Sequence, residues 1–353
     1  MISAIITCTY SDRNKPGNQL LTLVSLSGML GPMENHGLPD LALAMLLLGR
    51  LDGRLRNSPA TDIFLARARL NGAVALAGLA GVPIDVRSLQ DWIAGRSPPP
   101  RASEGLNDPI SVAAVFHLAL TRDEDVMDPI SLATLHMLRS VLDDRHEAAT
   151  YAGDDLAHFG PLWRQIKASA DEPFPSANLL SIAERVFTLA ALTEPAPASS
   201  ADVVSFDGRS LELPPRQRDR LWLIAVAVPR MLYRAGFTSR VIPSLVLLPK
   251  FLPPSPAELA ESLAVAIGRA ARTSLRELDA IERAASRTLS DLAVTKRSKA
   301  PLLARLQLSY PGLQPGAVAR LLGVTPQGAR KLLATLGSSA AHGERLRQPS
   351  TLT

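Results

Sequence analysis

Residues 312–337 read GLQPGAVARLLGVTPQGARKLLATLG, and this stretch decides the fold. Pro315–Leu322 predicts a short helix. Gly323 then turns the chain, because glycine takes up positive φ without steric cost. Val324 plugs the turn into a core, Thr325 caps a second helix, and Pro326 sits at its first position, where a missing N–H is harmless. Ala319, four residues before the turn glycine, is small enough to let the two helices approach closely. Upstream, Pro301–Leu308 supplies a third helix through Leu302, Leu303 and Leu306. The three together make a helix-turn-helix pattern.

The second helix divides by angle. Ala329, Leu332, Leu333 and Leu336 share one face, and Gln327, Arg330 and Lys331 share the opposite one. A helix entering the major groove needs one side to pack and the other to reach bases and phosphates. Gln327 suits adenine, Arg330 suits guanine, and Lys331 and Thr325 suit phosphate. Arg320, Lys296, Arg297, Lys299, Arg345 and Arg347 are further candidate DNA contacts. Any capped amphipathic helix after a glycine turn shares this pattern, and such helices also dock proteins.

Charge is distributed unevenly around that motif. The 353 residues carry a formal net charge of +5, with 46% hydrophobic and 20% charged residues. Residues 1–212 carry 17 Lys/Arg against 25 Asp/Glu, and residues 213–353 carry 21 against 8. Residues 296–353 alone hold nine basic residues against one acid, Glu344. A basic end behind an acidic body suits a polyanion partner. The composition can bury a sizeable core and excludes a wholly disordered chain. A single cysteine, Cys8, excludes a disulfide framework and any multi-cysteine metal centre, and points to a cytoplasmic setting.

Working outward, helices are predicted over 38–56 (apolar positions 43, 46, 47, 51 and 55), 62–79, 88–93 (capped by Ser88), 177–192 and 219–235. A long helical region over 255–293 opens with the capping box Ser255-Pro256-Ala257-Glu258, with a break expected near Gly268 or Thr273-Ser274. Asp108-Pro109-Ile110-Ser111 and Asp128-Pro129-Ile130-Ser131 each open a helix, aspartate capping and proline at the first position. Their twenty-residue offset suggests a helical hairpin. The fold class is therefore all-α: a multi-helical bundle with a C-terminal helix-turn-helix. The organisation expected is a disordered or mis-called extension over 1–37, with translation starting near Met33. An acidic helical domain (38–192), a linker (193–212), a second helical domain (213–294) and the DNA-binding domain (295–353) follow. No segment is long and apolar enough to predict a membrane span.

Val324–Gly337, with Thr295-Lys296-Arg297-Ser298-Lys299, resembles the C-terminal end of rhizobial and other alphaproteobacterial, often plasmid-borne proteins. These combine a domain of unknown function with a helix-turn-helix DNA-binding domain. The resemblance extends to Leu221–Leu252 and to Leu43–Trp92, through Arg50-Leu51-Asp52-Gly53-Arg54 and Ser88-Leu89-Gln90-Asp91-Trp92. It implies sequence-specific binding of double-stranded DNA by a transcriptional regulator or a plasmid or mobile-element protein. It also implies a short basic wing. His342-Gly343-Glu344-Arg345-Leu346-Arg347 is the counterpart here and lacks the aromatic finish, so the wing would be degenerate.

The same helices distantly resemble Fic-type adenylyl transferases. That chemistry needs a histidine base and a glycine-rich anion loop, whereas Pro214–Arg220 (PPRQRDR) contains neither. No Walker A, GxSxG, HExxH or GxGxxG motif is present. His117 and His136 lie at matching places in the two Asp-Pro-Ile-Ser helices, but two histidines make no metal site. The expectation is a protein that is not an enzyme and has no cofactor, metal or membrane partner. Double-stranded DNA is its partner, with homodimerisation left open. The alternatives are a protein-docking scaffold and a catalytically dead Fic-like protein.

Overall fold

Apolar periodicity is converted into twelve helices among the described residues. The structure is a computed structural model that describes residues 38–98, 108–122, 127–142, 160–193, 201–204, 210–213, 221–289 and 298–346. The extension expected over 1–37 lies outside them. In chain order the helices are α1 Leu38–Asn57, α2 Thr61–Leu79, α3 Val86–Ile93, α4 Pro109–Arg122, α5 Pro129–Leu142 and α6 Gly160–Asp171. There follow α7 Leu179–Thr193, α8 Leu221–Arg234, α9 Pro256–Leu289, α10 Ala300–Ser309, α11 Pro315–Leu322 and α12 Pro326–Leu346. The fold is all-α. Among the described residues its one departure falls in and just after the stretch read as a linker, where β1 (Ala201–Val204) and β2 (Ser210–Leu213) pair antiparallel, Ala201 opposite Leu213.

Two helices anchor the packing. Up to Leu232, α8 is apolar on every side but for Arg230, and a stretch without a polar stripe has no side to give to water. Leu223 through Leu232 are all buried, Arg230 included, which is ion-paired with Asp171 of α6. α2 packs against α3, α4, α5, α8, α9 and α10, and buries Ile63, Phe64, Leu70 and Leu76. Around this pair, α1 lies on α9, α9 on α7, and α6 on α8. Segments 38–192, 213–294 and 295–353, read as successive domains, all contribute buried residues to one hydrophobic cluster.

Local chemistry sets the helix starts. Asp108 accepts from the Ser111 amide (2.8 Å) and hydroxyl (2.6 Å), and Asp128 accepts from the amides of Ile130 (2.8 Å) and Ser131 (2.9 Å). The two Asp-Pro-Ile-Ser copies thus open α4 and α5, which pack as a hairpin. α3 is capped by Asp85, which accepts from Ser88 N–H at 2.8 Å, so the helix begins two residues before the expected Ser88. Ser255 caps α9, accepting from Glu258 N–H at 3.3 Å.

Three further expectations need correction. α9 runs unbroken for 34 residues through Gly268 and Thr273-Ser274. Gly268 serves a close approach instead: a Cβ there would lie 3.3 Å from the Cβ of Ala44 on α1. On α1 the buried line is Ala44, Leu48, Leu51 and Leu55, whereas Leu43 and Leu46 are 43% and 69% exposed. The run LALAMLLL is apolar on every side, so periodicity alone could not choose the inward face. Third, the residues of the expected wing continue α12 as helix to Leu346. Among the described residues no helix is long and apolar enough to cross a membrane.

Candidate nucleic-acid interface

The C-terminal motif is built from its turn outward. α11 ends where Gly323 adopts φ 57°, ψ 48°, the left-handed conformation that L-residues adopt at a cost of about 1–2 kcal/mol. Val324 N–H donates to Ala319 O at 3.0 Å, which satisfies one of the orphan carbonyls at the end of the helix. Thr325 Oγ1 then accepts from Gly328 N–H at 3.1 Å, capping α12 at its start. Ala317, Val318, Leu321 and Leu322 are buried on α11, and Ala329 and Leu336 on α12. Leu332 and Leu333 are half-buried against the same core. Gln327, Arg330, Lys331 and Ala334 are exposed on the other side of α12. The predicted division of this helix into a packed face and a polar face is thus present.

The helices before the turn are fastened to the rest of the protein. Arg67 of α2 donates Nε (2.9 Å) and Nη2 (2.7 Å) to Leu308 O, at the end of α10. Arg305 of α10 donates Nε to Asp62 at 2.6 Å and makes a second contact to Pro59 O. Gln314 N–H, just ahead of α11, donates to Ala94 O at 2.8 Å. Between α10 and α11, the wholly buried Tyr310 places its hydroxyl 3.1 Å from Thr134 Oγ1 of α5 and 3.5 Å from His117 Nε2 of α4.

His117 belongs to a buried polar cluster. Its Nδ1 lies 3.2 Å from Thr121 Oγ1, and the Arg69 guanidinium, fully buried, reaches Asp128 Oδ2 at 3.5 Å. Burial, and then the charge of Arg69, pull the His117 pKa down to about 3, so the ring is neutral and serves as a hydrogen-bonding strut. His136, its counterpart on α5, is exposed, so the two do not face each other. Among the described residues no group of three or more His, Cys, Asp or Glu is placed to hold a metal ion.

The remaining candidate contacts fall in different places. Arg320 is exposed on α11 and borders a cavity of about 300 Å³ shared with Trp92, Arg96 and Met137. Lys299 has an internal task, donating Nζ to Leu322 O at 2.6 Å and so closing the end of α11 beside the turn. Lys296, Arg297 and Arg347 lie outside the described residues, as does the side chain of Arg345. What sequence reasoning missed is the fastening of the motif. Arg67, Arg305 and Tyr310 carry no local signature, because each acts on a partner distant in the chain. No protein-family model matches this chain, and no curated protein matches its sequence.

Proposed function

We propose that this protein binds double-stranded DNA through α12, as a sequence-specific transcriptional regulator or a plasmid or mobile-element DNA-binding protein. The observation that carries the proposal is the exposed Gln327, Arg330 and Lys331 face, backed by buried Ala329 and Leu336 and preceded by the left-handed Gly323 turn. In this reading Arg330 reaches a guanine edge, Gln327 an adenine, and Lys331 and Thr325 phosphates. The protein is not an enzyme in this reading, and the histidine and glycine loop that Fic-type transfer requires are absent from its sequence.

Selection of a preferred site from random duplexes, followed by titration across salt, tests the proposal. Affinity should fall steeply with salt, because each neutralised phosphate releases counterions. Arg330→Ala should weaken the selected site by about 1–3 kcal/mol and relax preference at one position, whereas Lys331→Ala should weaken all duplexes alike. Absence of duplex binding, or binding indifferent to salt, would remove the proposal. A scaffold that docks a protein is the rival, but the outward residues of α12 are polar and charged rather than apolar anchors.

A further inference from the structure

α9 carries a second basic surface outside the C-terminal motif. Arg269, Arg272, Arg276, Arg283 and Arg287 are all exposed. Their spacings of three, four, seven and four residues keep them on one side of a single continuous helix. From first to last they cover about 27 Å at 1.5 Å per residue. The side chains of Arg269, Arg272 and Arg276 make no hydrogen bond or ion pair with another described residue.

The acids of the same segment are treated differently. Asp279 and Glu282 are both ion-paired with Arg54 of α1, and Glu277 accepts from Asn71 at 3.4 Å and lies 3.8 Å from Arg67 of α2. Packing therefore draws the three carboxylates toward Arg54 and Arg67 of the neighbouring helices and leaves the five arginines at the surface. Arg50 of α1, also exposed and close enough to act on Asp279, adds to the positive side.

We propose that this outer face of α9 is a second, sequence-independent contact for the phosphate backbone of duplex DNA. The choice of duplex DNA rests on the reading of α12, whereas the stripe itself does not depend on it. Charge complementarity argues for the occupant. A duplex presents one negative charge per about 1.7 Å of axis, so about 27 Å of arginines faces about eight base pairs of backbone. An interfacial membrane helix needs a large apolar face beside its basic one. Here the apolar side of α9 is already buried, through Leu259, Leu263, Ile267, Leu278 and Ile281.

The test uses the full chain carrying Arg269→Gln, Arg272→Gln and Arg276→Gln together. These are exposed substitutions that keep good helix formers, and thermal melting checks the fold. The probe is a 30-base-pair duplex of arbitrary sequence, titrated from low to high salt. The slope of log affinity against log salt should become shallower by about 1 for each arginine that meets a phosphate, and equally for a selected site. A variant with the same charge change elsewhere, Arg87→Gln, Arg164→Gln and Lys250→Gln, should leave the slope close to wild type. An unchanged slope in the α9 variant, or an equal loss in the control, overturns the proposal. If Arg330→Ala with Lys331→Ala abolishes binding while the α9 variant matches wild type, the α12 reading stands and this one falls. If the α12 variant binds normally and the α9 variant does not, the reverse holds. Binding to phosphatidylserine vesicles but not to the duplex, lost in the α9 variant, would assign the stripe to membranes and overturn it.

Discussion

The helices on either side of Gly323 differ in what holds them. Before the turn, α10 and α11 pack on α2, α5 and α9; hydrogen bonds involving Arg67, Arg305 and Tyr310 tie them to α2 and α5, and Gln314 ties them to the end of α3. After the turn, α12 packs against α10 and α11 and turns its polar residues outward. Substitutions before the turn should therefore act on stability, and substitutions on the outer face of α12 should act on binding.

The largest effect should come from Tyr310, the wholly buried aromatic between α10 and α11. Tyr310→Ala leaves a ring-sized cavity and deprives Thr134 and His117 of a partner. It should cost about 3–5 kcal/mol in urea unfolding, as buried aromatic truncations do. Arg330→Ala should leave the unfolding curve in place, within about 0.5 kcal/mol, because it is exposed. A Tyr310→Ala protein as stable as wild type would mean that the motif is not part of the common core.

The next effect is in acid. His117 titrates near 3 in the fold, below its ordinary 6.5, because of its burial and the charge of Arg69. Between those values the unfolded chain binds a proton that the native one refuses. The stability from a neutral His117 is thus fully present above about pH 6.5 and declines toward pH 3, by about 1.4 kcal/mol per unit, or about 2 kcal/mol at pH 5. His117→Gln should flatten this limb of a denaturant-midpoint profile. Parallel profiles for the two proteins would show that the ring does not set the acid sensitivity.

What was legible in the sequence follows the same division. The turn, the cap and the two faces of α12 depend on residues within a few positions of one another, and the structure has them where the pattern of 312–337 puts them. α6 is equally legible, with Trp163, Ile166 and Ala170 buried at helical spacing. The pairing of β1 with β2 has a signal in the sequence alone, an Asp-Gly dipeptide at 207–208. Other features needed the third dimension. Gly268 reads as a helix breaker until Ala44 is brought against it. The exposure of Leu46 follows from which side of α1 meets α9. Lys299 reads as a DNA contact until the carbonyl of Leu322 is placed beside it. Arg69 is buried only because α4 and α5 close over α2.

The smallest effect, at Gly323, bears most directly on the boundary between the two halves. A Cβ on Gly323 would meet nothing within 4 Å, so any cost of Gly323→Ala is conformational and not steric. The left-handed backbone at φ 57° should make that cost about 1 kcal/mol, after the gain from a less flexible unfolded chain is set against it. Asparagine tolerates this conformation better than alanine, so Gly323→Asn should lie between the two in a thermal melt. Lys299 and Val324 N–H hold the carbonyls on the α11 side, so strain at Gly323 is expected to pass into the setting of α12. Gly323→Ala should therefore lower duplex affinity more than its melting temperature suggests, with Gly323→Asn again intermediate. If both variants bind as wild type does while melting lower, the turn contributes to stability alone, and the separation of a fastened half from a binding half begins after Gly323 instead of at it.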